Sequence, residues 1–380
     1  MTSELSIFAA RVRDFIGICA GDFSSEHHGN PDFQAHADIE FNGLALMLFT
    51  LQFGHNAAYR KICKARNISP ESVSRWTEIP TVPTSAFKEF DITCLPLEQR
   101  TAVFHSSGTT AQKPSRHFHN AESLSVYETS LLAWFRPQVQ PRGNLAILTP
   151  GPLQAPNSSL VHMFETIRRD FGAPDKSFLG KLDGTGGWTI DFKAAAQTLE
   201  SACNHGERIT VFGTAFSFVH LLDYLTEKEL RFDLPPGSRI METGGYKNRS
   251  RSLTKDELHS LMTGLLGVPS SDILCEYGMS ELSSQAYNVA SSAQRTAAPC
   301  QRRFQFPPWA RAQVVSPETG SEVNEGETGL LRIYDLANVF SALAIQTEDL
   351  AIRRSGGFEL LGRAELAEPR GCSLMTTDSK

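Results

Sequence analysis

The spacing of apolar residues in the first quarter of the chain is helical. Residues 1–95 are predicted to be mostly helical, and residues 41–59 contain no Asp, Glu, Lys or Arg. The apolar positions at helical spacing in that stretch are Phe41, Leu44, Ala45, Leu48 and Leu51. They predict a buried amphipathic helix. The segment EIPTVPTSAFKEFDIT at 78–93 is expected to be extended, because residues before proline avoid the helical region.

From about residue 100, short apolar runs alternate with helix-like stretches. The runs are NLAILTP, RITVFG, SRIMETGG and DILCEYG, and each ends in a turn that contains glycine or proline. Residues 214–230 and 254–265 have helical periodicity. This alternation predicts an α/β domain with a largely parallel sheet. Ligands of such sheets bind at the carboxyl ends of the strands, where these turns fall.

After residue 300 the pattern becomes β-type. The segment AQVVSPETGSEVNEGETGLLRIYDL predicts strands joined by a turn at Pro-Glu-Thr-Gly. A chain of 380 residues is longer than one cohesive core usually spans, so several packed parts are expected. The predicted parts are a helical segment at 1–95 packed on the core, an α/β core at 96–300, and a β-rich subdomain with a C-terminal tail at 301–380.

Composition and charge narrow the function. The chain is 41% hydrophobic and 21% charged, which is typical of a globular protein. A formal net charge of −6 argues against nucleic acid as the main partner. Arg11, Arg13 and Asp14 interrupt the apolar N-terminus, so no signal peptide is expected. The apolar centre of 41–59 is also too short for a transmembrane segment.

The cysteines predict a reduced, cytoplasmic protein. There are seven, widely scattered and without a CxxC pair. His27 and His28 form one close pair in sequence and His117 and His119 another, but they lack a matching ligand set, so a structural zinc site is not expected.

The segment FHSSGTTAQKPSRH at 104–117 is the first candidate for chemistry. Its hydroxyl-rich, small-residue loop consists of Ser106, Ser107, Gly108, Thr109 and Thr110. Such a loop can wrap a polyphosphate with N–H and O–H donors, although the Walker spacing is absent. The alternative is a Ser/Thr-rich surface turn.

Two further segments could complete a nucleotide site. In CEYGMSELSSQ, Tyr277 could stack on adenine and Glu281 could hold Mg²⁺. In METGGYKNRSR, the Gly244–Gly245 pair permits a tight turn after a strand. The basic residues that follow, which could neutralise phosphate, are Lys247, Arg249 and Arg251. The alternatives are a polar helix start and a solvated basic surface.

The order of these motifs, followed by IQTEDL and GRAE, resembles the acyl-adenylate-forming superfamily. Within it, IPTVPTSAFK, SSGTT with PSRH, ETGGYKNRSR and RGCSL most resemble the LuxE-like acyl-protein synthetases, fatty-acid ligases of bacterial luminescence systems. The resemblance covers most of the chain from about residue 80. It implies the N-terminal domain of an acyl-adenylate-forming enzyme, a layered α/β fold with a small β-rich subdomain, lacking the usual mobile C-terminal domain.

The resemblance also assigns roles to residues. Ser106 to Thr110 would bind the ATP phosphates, and Gly244, Gly245 and Tyr246 would border the adenine and acyl pocket. In the Tyr277–Gly278–Met279–Ser280–Glu281 motif, the tyrosine would contact adenine, the serine phosphate and the glutamate Mg²⁺. Asp349 matches a ribose-binding aspartate, and Arg363 matches the arginine of a hinge motif.

This sequence departs from the superfamily pattern at the phosphate loop. Ala111 replaces a glycine, Ser115 replaces a lysine, and Lys113 precedes Pro114 instead. The missing domain would also carry the usual catalytic lysine. Lys247 and Arg251 are the candidates to supply positive charge in its place.

Cys372, in RGCSL, is the predicted acyl acceptor, because a C-terminal cysteine has that role in the family resembled. The expected reaction forms an acyl-AMP from ATP and a carboxylic acid, with a fatty acid favoured. Cys372 then takes the acyl group and delivers it to a partner such as an acyl reductase. The rival functions are a ligase acting directly on coenzyme A or a carrier protein, and a non-catalytic nucleotide-binding subunit. The apolar residues that either line an acyl tunnel or pack the core are Phe212, Phe216 and Phe218.

Overall fold

The computed structural model describes residues 3–22, 31–106, 113–184, 187–244, 253–288 and 303–363. The helices in these ranges are α1 (Glu4–Asp22), α2 (Pro31–His55), α3 (Ala57–Ala65), α4 (Ala86–Glu89), α5 (Ala121–Val139), α6 (Ser159–Asp170), α7 (Phe192–His205), α8 (Ala215–Glu227) and α9 (Lys255–Leu266). The strands are β1 (Val82–Pro83), β2 (Ala102–His105), β3 (Arg116–His119), β4 (Asn144–Ile147), β5 (Gly180–Leu182), β6 (Trp188–Ile190), β7 (Ile209–Thr214), β8 (Arg239–Thr243), β9 (Ile273–Tyr277), β10 (Ala286–Asn288), β11 (Phe304–Gln305), β12 (Ala310–Val315), β13 (Thr328–Asp335), β14 (Ala344–Arg354) and β15 (Gly357–Arg363).

A large mixed sheet organises the fold. Its order is β12-β13-β14-β15-β11-β10-β9-β8-β7-β4, and β1 pairs with β14. Strands β4, β7, β8 and β9 are mutually parallel, whereas β9 to β15 pair antiparallel. The hairpins β2–β3 and β5–β6 form separate two-stranded sheets. The predicted α/β fold with a β-rich portion is confirmed, but the sheet as a whole is mixed because the strands after residue 286 reverse direction.

The parallel strands form where the sequence predicted them. Every residue of β7 and β9 is buried, which fits strands covered by helices on both faces. Helix α8 begins directly after β7, and the Thr214 side chain caps it by accepting a hydrogen bond from the Ser217 N–H. Helix α9 begins with a capping box between Thr254 and Glu257. The positions of these strands and the starts of helices α8 and α9 are therefore explained by nearby residues in the sequence.

Two local predictions need correction. The helix expected over 41–59 is interrupted at Asn56, whose side chain caps α3 through the Tyr59 N–H at 3.0 Å. The same side chain donates to the Ser341 carbonyl at 3.1 Å, so a tertiary contact fixes the break. The segment 78–93 is not wholly extended, because Ala86–Glu89 forms a helical turn where no proline intervenes.

The N-terminal helices contact the sheet through apolar and polar groups. One hydrophobic cluster joins residues from all three predicted parts, such as Phe41, Phe212 and Ile333. Buried Gln52 donates to the Asn338 carbonyl at 2.8 Å and accepts from the Leu343 N–H at 2.8 Å. The division into three parts stays a prediction. Among the helices of the described residues, none has the length and hydropathy to cross a bilayer.

Candidate active site

The ends of β8 and β9 lie side by side at the carboxyl edge of the parallel strands. Thr243 and Glu276 are register partners, and their side chains hydrogen-bond to each other. Gly244 follows β8 with a φ of +73°, which favours glycine. A side chain at Gly278 would meet the Glu276 carboxylate. Gly244 therefore permits the turn after β8, and the missing side chain at Gly278 leaves room for the Glu276 carboxylate, as expected for strand ends that border a ligand.

The β2–β3 hairpin closes the base of the predicted phosphate loop. The Ser106 N–H donates to the Ser115 carbonyl at 3.3 Å, and the Ser115 N–H donates to the Ser106 Oγ at 2.9 Å. Residues 107–112 lie outside the described residues. Ser106 is therefore fixed at the point where the loop leaves the sheet.

The hairpin packs directly on the motif that follows β9. The His117 Nδ1 lies 2.8 Å from the Ser280 carbonyl, so this nitrogen donates and carries the ring proton. The Ser115 and Ser280 hydroxyls are 3.4 Å apart. Burial lowers the pKa of His117 to about 4, which keeps the ring neutral. We call Ser106, Ser115 and His117 the hairpin wall.

Ser280 and Glu281 lie at the centre of the site. The Ser280 hydroxyl donates to Glu281 Oε2 at 3.0 Å. Glu281 is fully buried, and its carbonyl accepts from Asn338 Nδ2 at 2.9 Å. The hydroxyls of Ser115 and Ser280 and the carboxylate of Glu281 are hard oxygen donors of the kind that Mg²⁺ prefers. The residues present therefore fit the predicted ion.

The antiparallel strands bring charged groups to the other side of the motif. The Tyr277 hydroxyl donates to Asp349 Oδ2 at 2.7 Å. Arg363 Nε lies 3.6 Å from Asp349 Oδ1, and its Nη2 donates to Glu348 Oε2 at 3.0 Å. We call Glu348, Asp349 and Arg363 the sheet wall. Tyr277, Asp349 and Arg363, which stand in three separate motifs of the sequence, are thus joined in one network.

The ring of Tyr277 is set among aromatic side chains. Its centroid lies 6.1 Å from that of Phe304, 6.2 Å from Phe306 and 5.5 Å from Phe358, all at steep interplanar angles. The residue is only 7% exposed. Packing and the hydroxyl contact together fix the ring at the end of β9, and its stacking on adenine stays a prediction.

Several predicted site residues lie outside the described residues. They are Ser107, Gly108, Thr109, Thr110, Gly245, Tyr246, Lys247, Arg251 and Cys372. Lys113 is described, and its Nζ lies 3.5 Å from the Glu89 carboxylate on the surface. The roles of all these residues stay predictions.

The phenylalanines considered for an acyl tunnel pack the core. Phe212, Phe216 and Phe218 are at most 1% exposed. The ring of Phe212 lies 6.1 Å from that of Phe135 and 5.6 Å from that of Phe164. The core alternative is therefore the observed one for these residues.

The sequence did not predict the buried groups that hold the chain after the Tyr277–Glu281 motif in place. Asp335 is fully buried and accepts hydrogen bonds from the Ser283 N–H at 2.9 Å and the Ser284 hydroxyl at 2.7 Å. Burial raises the pKa of this carboxyl to about 6. Asp335 thereby fixes the chain just after Glu281. No local pattern identifies such a residue, because its partners are about 50 positions away.

Known proteins resemble the chain in both sequence and fold. It is 24% identical over 348 residues to the "Long-chain-fatty-acid--luciferin-component ligase" of Aliivibrio fischeri, covering 86% of this chain and 85% of the relative. It is 22% identical over 341 residues to the protein of the same name from Vibrio harveyi, covering 86% of this chain and 84% of the relative.

A solved 2-hydroxyisobutyryl-CoA ligase, in complex with 2-HIB-AMP and CoA, matches the fold. The TM-score is 0.62 at 14% identity, and the match covers 87% of this chain and 67% of the ligase.

The family profile described as "Acyl-protein synthetase, LuxE" matches residues 35–379. This match spans far more than half of the chain. The protein therefore belongs to the LuxE family of acyl-protein synthetases, which confirms the family and the ligase class predicted from its motifs.

Proposed function

We propose that this protein uses ATP to activate a long-chain fatty acid as acyl-AMP and then transfers the acyl group to its own Cys372. The meeting of three remote segments supports the first step most directly. The hairpin wall, the Tyr277–Glu281 motif and the sheet wall converge at the end of β9. The names of the two luciferin-component ligases support a fatty acid as the substrate.

In the first step, a carboxylate oxygen of the acid attacks the α-phosphorus of ATP. The bond from that phosphorus to the pyrophosphate oxygen breaks, giving acyl-AMP and pyrophosphate. Negative charge rearranges on the phosphate oxygens, so fixed hydrogen-bond donors and cations accelerate the step. The Ser115 and Ser280 hydroxyls, beside the base of the loop that Ser106 and Ser115 close, would supply oxygen and O–H groups on the phosphate side.

The other residues bind and position the nucleotide. Asp349 would accept hydrogen bonds from the ribose hydroxyls, with Arg363 and Tyr277 holding its carboxylate in place. Glu281 would hold Mg²⁺ close to the phosphates, where the ion supplies positive charge against the developing negative charge. The buried setting of Glu281 and Ser280 keeps water away from these groups.

In the second step, the Cys372 thiolate attacks the acyl carbon and AMP leaves as the carbon–oxygen bond breaks. The product is a thioester, an activated acyl group that a partner such as an acyl reductase or a carrier protein can accept. Arg370 lies two positions before Cys372 in the sequence, and a nearby cation favours the thiolate form.

Intact-protein mass spectrometry tests both steps. The protein is incubated with Mg·ATP and a panel of carboxylic acids that differ in length, and pyrophosphate release is measured in parallel. We expect a hydroxylamine-labile acyl adduct that maps to Cys372. Cys372→Ser should lose the adduct and keep acid-dependent pyrophosphate release, whereas the control Cys203→Ser should keep both.

The other outcomes of this experiment would favour one of the two rival functions. Pyrophosphate release without any adduct, together with acyl transfer to added coenzyme A or carrier protein, would contradict the Cys372 step. The absence of pyrophosphate release with every acid would contradict adenylation and favour a nucleotide-binding subunit. Preference within the panel identifies the substrate length.

A further inference from the structure

A second cluster of reactive side chains lies behind the candidate active site. Glu242 on β8 and Cys275 on β9 are register partners, and His259 reaches them from α9. Among the described residues, these three form a group whose ligand atoms all lie within 4.8 Å of one another. Their exposed fractions are 1%, 1% and 3% for Glu242, Cys275 and His259. The proposed acyl transfer uses none of them.

We infer that Glu242, His259 and Cys275 form a binding site for a zinc-class divalent cation. A thiolate, an imidazole and a carboxylate are the ligand types that zinc takes in proteins. Three protein ligands leave one coordination position for water or a further group.

The distances agree with this assignment. The Cys275 Sγ lies 3.8 Å from His259 Nε2, and His259 Nε2 lies 3.6 Å from Glu242 Oε1. Zinc bonds of about 2.0–2.3 Å at tetrahedral angles separate ligand atoms by roughly 3.3–3.6 Å. The third distance, 2.8 Å from Sγ to Glu242 Oε1, is that of a thiol donating a hydrogen bond. This Sγ–Oε1 distance would increase by less than about 1 Å when the thiol proton is released to solvent and the thiolate binds the ion.

The hydrogen bonds within the cluster leave buried polar atoms unsatisfied. Glu242 Oε2 and His259 Nδ1 are buried without a hydrogen-bond partner among the described residues. Coordination through both carboxylate oxygens, which would then also occupy the fourth coordination position, would satisfy Glu242 Oε2.

Lys255 is the group that opposes a cation here. Its Nζ lies 3.9 Å from Glu242 Oε1, and its side chain is 43% exposed. It can therefore turn towards solvent when an ion binds. Its removal should strengthen metal binding, whereas a cluster that serves only as a hydrogen-bonded ion pair should lose stability without Lys255.

The location predicts a structural role for the ion. Cys275 and Tyr277 are two positions apart on β9 and face the same side of the sheet. An ion held by β8, β9 and α9 would fix the helix that follows the ETGGYKNRSR segment against the strand that carries Tyr277.

Titration of the chelator-treated full-length protein with Co²⁺ tests the inference. We expect one Co²⁺ per chain with a sulfur-to-cobalt charge-transfer band, displaced by Zn²⁺, and a Zn²⁺-dependent rise in Tm. Cys275→Ser should lose the band. His259→Gln should weaken binding by more than the roughly 10–100-fold that loss of an outer-shell partner causes. Cys203→Ser and Cys372→Ser serve as matched controls and should keep the band.

Measurements on wild-type protein and on Lys255→Met test the site even if Cys275→Ser or His259→Gln misfolds. Wild-type protein without a charge-transfer band would overturn the site, as would a band that persists in folded Cys275→Ser. Lys255→Met should bind Co²⁺ several-fold more tightly. Lower stability of that variant with no gain in affinity would identify the cluster as a hydrogen-bond network only. These readouts do not depend on acyl transfer, so failure of the proposed function would not affect them.

Discussion

The two walls of the candidate site are built from different chemistry. The hairpin wall contacts Ser280 through a neutral histidine and a hydroxyl, both from residues at most 2% exposed. The sheet wall contacts Tyr277 through a carboxylate whose side chain is 17% exposed and which pairs with an arginine. The hairpin wall is therefore sensitive to protonation in a buried setting, and the sheet wall is a partly exposed ionic network. One site thus combines a buried neutral side and a charged binding side.

Glu281 lies between the two walls, and its substitution should have the largest effect. We expect Glu281→Gln to lower acid-dependent pyrophosphate release by about 10²–10³-fold, which is typical when one group that stabilises the transition-state charge is removed. Glu318→Gln, in an exposed turn, is the control. Urea unfolding checks that both variants fold. Near wild-type release by folded Glu281→Gln would place the centre of the site elsewhere.

The two buried histidines of the β2–β3 hairpin, His117 and His119, should make stability depend on pH. Burial lowers the pKa of His117 to about 4, and burial with the nearby His117 and His162 lowers that of His119 well below its usual value. Both rings are neutral in the folded protein and would be protonated in the unfolded chain below about pH 6.5. Their contribution is complete above that pH and is lost as the pH falls towards 4, by roughly 3 kcal/mol for His117.

Urea midpoints of wild type and His119→Phe between pH 8 and 4 measure the share of this pH dependence that is due to His119. The variant should lose less stability on acidification, because phenylalanine cannot be protonated in the unfolded chain, whereas His119 can. Glu281 near His117, and Glu128 beside His162, are common to both proteins. Asp335 is also present in both proteins. Its raised pKa acts in the opposite direction, because it adds stability as the pH falls through about 6. Parallel curves for the two proteins would show that His119 does not contribute to acid stability.

The sheet wall should affect nucleotide binding more than the chemical step. We expect Asp349→Asn to raise the KM for ATP by about 10–100-fold, because hydrogen bonds to a charged group contribute roughly 1.5–3 kcal/mol. The kcat should change less. Glu359→Gln is the control, since Glu359 pairs with Arg354 in the same strands. An unchanged KM would remove Asp349 from the nucleotide site.

Removal of the Tyr277 hydroxyl should have the smallest effect. Tyr277→Phe keeps the ring and loses the hydrogen bond to Asp349, so we expect a change of about 1 kcal/mol, or roughly fivefold, in the KM for ATP. A double-mutant cycle with Asp349→Asn isolates this contact. Strictly additive effects would mean that the hydroxyl does not position the carboxylate.

The difference between the walls also explains which residues the sequence could identify. Tyr277, Ser280, Glu281 and Asp349 stand in short motifs, and the structure brings these motifs together. His117 stands in PSRH, yet its bond to a backbone carbonyl 163 positions away has no signal in the sequence. The break at Asn56 was missed for the same reason, because Ser341 helps to fix it. A residue whose role depends on distant partners cannot be inferred from its neighbours alone.

Short sequence patterns were enough to predict the family, the α/β alternation, the strand-end turns and the motif that follows β9. Local patterns suffice for these features, because strand burial, caps and glycine turns depend on nearby residues. Only the tertiary structure decided which side chains support that motif, that Phe212 belongs to the core, and that Cys275 lies beside Glu242 and His259. Packing sets these contacts across long stretches of chain, since a one-residue change in strand register would turn each side chain to the opposite face.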